Sequence, residues 1–415
     1  MPTPTTYAPA KQFVGIANET TQGTPVAMTS TILCDQFKPK DNPTWLDDKS
    51  WRGSMATESF AKIPGVKHAE LDLGGPAYGD GLGYFLRNIL GDLAVTGTST
   101  GSGGTTLSGP GVVGATTIST VATIPAATVV QIGTGATAEV FTTGTPTGSG
   151  PYTIPLSSPT GGLVYAHAAA QAVQPVTGPY TQAHSLLNSG GGQPLAHTLT
   201  HFLGPTATSG ARQYPGACFS ELGLKFNAES ELLTWQGKAT SWPSVALGAA
   251  PVAAPSTVLP VASWRMLLGI GGPAAGGTLV NTVTDGEITI KREVNPYFTA
   301  TGTQNPYIIQ RGGLSVEGKL GFVAADESPL LYMLNNTQPQ VQLVLDNGLA
   351  GANKITFQID VQTAAFTAME PDGTKAAVEY SGTFTAVLNT VNAGGSGGYS
   401  PIKVSVTNNV AAGTY

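Results

Sequence analysis

The residues that could bind a metal or move a proton are few and scattered. The histidines are His68, His167, His184, His197 and His201. His197 and His201, at i and i+4, would share one face of a strand, but no third ligand lies near them in sequence. Metal sites need clustered His, Cys, Asp or Glu, so these side chains are expected to be ordinary surface or interface histidines. Cys34 and Cys218 are the only cysteines. One disulfide is arithmetically possible, yet two thiols in so long a chain make no disulfide framework, and both are expected to be reduced and inert. No Gly-x-Ser-x-Gly elbow falls between a strand and a helix. The glycines of Gly101–Gly104 are followed by neither Lys-Ser/Thr nor a helix start, so they cradle no phosphate. The acids show no spacing that singles out the carboxylate pair of a glycosidase. The expectation is no catalytic residue, no metal and no cofactor.

Composition points to the elements instead. Of 415 residues only 11% are charged, while Gly (54) and Pro (30) are abundant; an average soluble domain is roughly 25% charged. Val, Thr, Ile and Tyr between Gly/Pro punctuation favour short strands over long helices, so an all-β protein is expected. A surface this poor in charge suits a chain that hides much of itself in an assembly. The formal net charge of −6 argues against gripping nucleic acid, which needs clustered Lys and Arg. No run of about 18 apolar residues suggests a membrane span, and residues 1–10 show no targeting signal.

Along the chain, Phe13 to Ala17 reads as a strand running into a turn at Gln22-Gly23. Lys38 to Ser54 reads as a polar, charged loop. Leu82, Phe85, Leu86, Ile89 and Leu90 fall at i, i+3, i+4, i+7 and i+8, which predicts a helix capped by Asp80 and ended by Gly91. Residues 96–112 are nearly all Gly, Ser and Thr, the composition of a flexible linker. Short strands follow at Thr116–Ile118, Thr128–Ile132, Glu139–Thr143 and Tyr152–Leu156, and Pro175, Gly178 and Pro179 close the segment. A small inserted β domain is expected there.

The remainder repeats what precedes it. Leu71–Leu90 and Leu320–Leu334 each run strand end, Gly, acid, helix. Cys218–Thr240 and Thr356–Thr385 each read as a hairpin, turning at Asn227-Ala228-Glu229 and Pro371-Asp372-Gly373. Their second strands share aromatic-x-Gly-x-(Ala/Phe)-Thr. The expected organisation is 1–96 and 179–250 as the two parts of a first domain, 97–178 as the insertion, 251–390 as a second copy, and 391–415 as a C-terminal arm, suited to lie on a neighbouring subunit.

Phe13-Val-Gly-Ile-Ala-Asn-Glu-Thr-Thr-Gln-Gly-Thr-Pro-Val26 resembles the opening of tail tube proteins of actinobacterial siphophages, in which such a motif precedes a loop like Ser50-Trp-Arg-Gly-Ser54. Gly302-Thr-Gln-Asn-Pro306 also fits, and Leu163-Val-Tyr-Ala-His167-Ala resembles a small β module of phage virion proteins. The insertion and the second copy depart from the simplest members, which are single β barrels. The resemblance implies a tail-tube-type β-barrel or sandwich with one flanking helix per copy. It implies self-association into stacked rings through which phage DNA passes without specific binding. Tape measure, terminator and distal tail proteins are the implied further partners, the phage tail the location, and the host cytoplasm the place of assembly. If the unit occurs twice, three chains make a ring of sixfold appearance; otherwise six do. Asp41, Asp47, Asp48, Trp51 and Arg52 are then the candidate ring-stacking residues, and Glu287, Glu317 and Asp360 the candidate lumen residues. The competing readings are a capsid decoration or baseplate protein, and a secreted adhesin or surface-layer protein.

Overall fold

The computed structural model describes residues 9–53, 55, 61–203, 210–229, 231–247, 251–274, 278–374 and 376–415. In chain order, β1 (Phe13–Asn18) and β2 (Ser30–Ile32) make a short hairpin, and β3 (Gln36–Asp48) and β4 (Ala61–Pro76) a long one. Helix α1 (Leu82–Ile89) leads into β5 (Gly91–Ser99). The insertion holds β6 (Thr105–Thr106), β7 (Thr117–Thr120), β8 (Val129–Ile132), β9 (Glu139–Thr143) and β10 (Tyr152–Ser158). The chain returns through β11 (Ala172–Leu186) to β12 (His197–Phe202), β13 (Ala211–Asn227), β14 (Thr234–Ser241) and β15 (Val245–Ala246). The second half contains β16 (Met266–Ile270), β17 (Leu279–Val280), β18 (Val283–Tyr297), β19 (Ile308–Val323), α2 (Ser328–Leu334), β20 (Val341–Asp346) and β21 (Thr356–Val361). It ends with β22 (Ala364–Asp372), β23 (Glu379–Ala386) and β24 (Lys403–Asn408).

Among the described residues every strand pair is antiparallel, and the fold is all-β with two short α-helices, as composition predicts. One sheet contains the consecutive strands β3-β4-β14-β13-β18-β19-β23-β22. The other runs β5-β11-β24-β21-β20-β16 through the same body. Their facing sides share one apolar core, with Leu71, Leu222 and Leu320 from the first sheet and Leu343, Ile359 and Val404 from the second.

The duplication is visible in the pairing itself. Hairpin β3–β4 lies beside hairpin β13–β14 in the order β3-β4-β14-β13, and hairpins β18–β19 and β22–β23 repeat it as β18-β19-β23-β22. Each copy places a helix between its hairpins, followed by a pair in the other sheet, β5–β11 and β20–β21. The motif glycines take equivalent places. Gly237 stands between Leu73 and Leu222, and Gly382 between Leu320 and Met369. A Cβ on Gly237 would lie 2.8 Å from the Phe219 ring, and one on Gly382 2.6 Å from the Met369 methyl, so the close approach explains the glycine in both.

Several expectations are corrected. The stretch read as a polar loop is strand β3 as far as Asp48, its prolines tolerated because β3 pairs on one side only; Ser54 lies outside the described residues. Residues 96–112 are no free linker: Thr96–Ser99 pair with β11, and Leu107 is buried in the insertion's own core with Phe141, Ile154 and Val173. Strand β21 does not form the second hairpin. It belongs to the other sheet, and β22, only two residues later, pairs with β23 around the expected turn. The residues read as an arm carry β24, which fills the gap between β11 and β21 of the same chain, while Tyr415 packs edge-on against Tyr84 at 4.9 Å. Helix α1 buries the predicted face, but Gly81 rather than Asp80 is its N-cap; Gly91 follows its end at φ +102°.

Candidate assembly surfaces

The core occupies one face of the eight strands from β3 to β22, which leaves the other face to solvent. Charge in this charge-poor chain collects there by strand alternation. One row across five neighbouring strands reads Lys38, Asp72, Lys238, Glu221, Lys291, alternating in sign at every step. Two rows further along this face, Lys225 pairs with Glu287 and Glu287 with Lys319. Lys238 Nζ sits 3.1 Å from Glu221 and Lys291 Nζ 2.7 Å from Glu317. Such exposed pairs are worth only about 0–1 kcal/mol each, so they add little to holding the fold.

Of the three candidate lumen residues, the structure brings Glu287 and Glu317 together on this face. Asp360 is elsewhere. It lies on β21 of the other sheet, half-buried, with Gln340 Nε2 donating to it at 2.8 Å, and burial raises its pKa.

The two long hairpins overhang the sheet at the same end. Residues 61–68 of β4 run past the end of β14, and the tip of β18–β19 folds against them, with Lys67 N–H donating to Gln304 O at 2.9 Å and Phe298 beside His68. The β3–β4 tip exposes Trp45, Leu46, Ile63 and a wholly exposed Trp51; the β18–β19 tip exposes Tyr297 and Tyr307. Among the candidate stacking residues, Asp47 pairs with Lys62 at 3.4 Å and Asp48 with Arg52 at 2.8 Å, its acidity increased by hydrogen bonds from Ser50 and then Arg52. Asp41 is set apart from them. Its carboxylate accepts from the Ser244 N–H and hydroxyl at 2.8 and 2.6 Å, tying β3 to the chain beyond β14.

The insertion hangs from β5 and β11, on the sheet opposite the charged face, and its junction is stiff. Glu139 accepts from the N–H groups of Val164 and Tyr165 and from His167 Nε2, all within 3.0 Å. Asp92 accepts from Ser396 N–H at 2.9 Å, and the Arg87 guanidinium lies among Tyr165, Asp92 and Glu139.

His184 and His197, expected to be surface or interface groups, are fully buried, and burial pushes both down to about 3; buried His201 is pushed down to about 4. His197 hydrogen-bonds Asn88 at 2.6 Å, and His201 stands edge-on to Phe37, so this pair serves packing. Among the described residues no three His, Cys, Asp or Glu side chains cluster as metal ligands do, and no helix is long and apolar enough to cross a membrane. Cys34 and Cys218 are both free thiols.

No curated protein matches the chain. The family model described as phage tail tube protein matches it twice, over residues 9–137 and 110–386, so that together the matches span both copies and the insertion. With most of its length covered, the chain belongs to the phage tail tube protein family.

Proposed function

We propose that this tail tube protein assembles with itself into rings that stack into a hollow tail tube of the siphophage type, and that the tube conducts the genome to the host. The observation that carries this reading is the run of eight strands, which has two copies of one unit side by side, an edge at each end unpaired among the described residues, and a single charged face open to solvent. Sheets avoid loose edges by closing, and a head-to-tail contact that closes makes a ring.

The strand count favours three chains. With strands roughly 4.8 Å apart and tilted about 35–45°, 24 strands enclose a wall roughly 45–52 Å across. Side chains fill about 5 Å on its inner side, which leaves an open bore. Six chains would roughly double that width. On the charged face, Lys38, Lys40, Lys225, Lys238, Lys291 and Lys319 are outnumbered by Glu70, Asp72, Glu221, Asp285, Glu287, Glu317, Glu370, Asp372 and Glu379. A lining with more acids than lysines does not hold a polyanion, since each unopposed lysine adds affinity. The insertion, on the opposite sheet, would project outward, and the aromatic hairpin tips would meet the next ring. The tape measure, terminator and distal tail proteins are the expected partners in the tail, with assembly in the host cytoplasm. Scanning transmission microscopy of assembled tubes tests the reading: three chain masses per ring are expected, and purified protein that forms no rings or tubes would remove it.

A further inference from the structure

The chain contains its own example of how two copies join. In the middle of the run, the last strand of the first copy, β13, pairs with the first strand of the second, β18, with Lys225 opposite Glu287 and Gly223 opposite Thr289. At the two ends, the strands equivalent to these, β22 and β3, have no strand partner on their outer sides among the described residues.

The motif glycines fix the equivalence residue by residue. Leu222 and Met369 face them from the outer strand, and Leu73 and Leu320 from the inner one. Phe37 is opposite Leu73 as Gly286 is opposite Leu320. Lys225 therefore corresponds to Asp372 and Glu287 to Lys38, while Gly223 corresponds to Glu370 and Thr289 to Lys40. We propose that β22 of one chain pairs antiparallel with β3 of a second copy, in the register that sets Asp372 against Lys38 and Glu370 against Lys40. This inference rests on the ring reading above and names its joint.

The glycine equivalence alone sets this register, and both of its rungs are pairs of opposite charge. The outer joint has the sense of the inner Lys225–Glu287 rung, with its signs exchanged. Pro39 and Pro371 meet in this register, so that rung supplies no N–H, and the joint leans on the charged rungs beside it. The same prolines leave each free edge short of a donor, which hinders pairing with unintended strands.

A second feature points to the same partner. Leu233 and Val378 are equivalent, accepting at their carbonyls from Ala77 N–H and Ala324 N–H respectively. Leu233 N–H bonds Val261 O, and the segment leading into the second copy closes the groove beside α1 to about 10 Å³, with Ser256 in its lining. Beside α2 the matching groove is open, about 530 Å³, and Val378 is 47% exposed. Ahead of the described part of the first copy in an arriving chain stand residues 1–8, whose Pro4-Thr5-Thr6-Tyr7 parallels Pro255-Ser256-Thr257-Val258. That segment is the occupant assigned to the open groove.

The joint is tested in full-length protein carrying Lys38→Cys and Asp372→Cys with Cys34→Ser. Because the prolines face outward, residues 38 and 372 would be a non-hydrogen-bonded pair, whose Cα atoms approach to about 4.5 Å. Oxidation of assembled tubes should give a covalent ladder that stops at the trimer, at least tenfold more of it than from Lys38→Cys with Glu370→Cys. Tubes that form but do not cross-link overturn the joint while leaving the tube reading intact. Charge reversal covers a cysteine variant that fails to assemble. Lys38→Glu with Lys40→Glu should lower assembly at least tenfold, and adding Glu370→Lys with Asp372→Lys should restore it; no restoration overturns the register. Exchange of the Val378 amide should slow at least tenfold on assembly, and an unchanged rate overturns the assignment of residues 1–8 to the groove.

Discussion

His184 and His197 take the neutral form because burial leaves the imidazolium without water, and the neighbouring arginines add to the effect. Their folded values near 3 lie below the ordinary value of 6.5, so the unfolded chain binds more protons between those limits. The stability they contribute is complete above about pH 6.5 and drains away as the pH falls towards 3, at up to about 1.4 kcal/mol per pH unit for each group. Urea midpoints of the unassembled protein should therefore fall between pH 7 and pH 5, and His184→Gln should remove about one histidine's share of that slope. A slope untouched by the substitution would mean that the ring is solvated. Neither histidine advertised this in sequence, because burial of one side chain depends on which strands cover it, and β24, which covers His184, arrives from more than 200 residues away.

Among the elements, the paired hairpins invite a direct comparison. Gly237→Ala forces a Cβ against the Phe219 ring, which has nowhere to move, and should cost about 1–3 kcal/mol. Gly382→Ala meets only the end of a flexible Met369 side chain and should cost less than half of that; chemical denaturation of the two variants gives the order. Helix α1 was legible because five apolar residues at helical spacing leave no other period, and Phe85 stacks at 4.2 Å on Trp235. The second hairpin was half legible. Its turn and its Tyr-Ser-Gly-Thr-Phe-Thr strand stood out, but Gln362 and Thr363 give too little punctuation to reveal that the chain changes sheets between β21 and β22. Strand β3 was missed because Pro39, Pro43 and its charges read as a loop, although an edge strand on a solvated face accepts both. Asp47 and Asp48, on that hairpin's overhang, each hold a cation. Reversing both to Lys should leave the melting temperature of the monomer within about 2 °C, since exposed pairs contribute little. It should slow tube elongation at low salt more than at high salt, which turbidity at two ionic strengths would read.

The molecule as a whole separates a two-sheet body from an appended β module. The insertion has its own core around Phe141 and Ile154, and its deletion across residues 101–177 leaves the central core of both sheets unbroken. The variant should fold with the midpoint of the body slightly lowered, because the contacts of Glu139 and Tyr165 at the junction are lost, and should still form tubes of reduced outer diameter in negative stain. Tubes of unchanged diameter would place the insertion inside the wall. The unlike hairpin tips carry one more consequence. Trp45 and Trp51 crown one overhang, Tyr297 and Tyr307 the other. A ring of such chains presents two kinds of tooth in alternation to the ring above. A sixth of a turn then sets each tooth into the wrong notch, and only a third of a turn restores the fit. Two copies that had stayed identical would let rings settle at twice as many angles. In the proposed tube, the divergence of the two halves would index the rotation of each ring on the last, and the helical pitch would be encoded in which aromatic side chains stand at which tip.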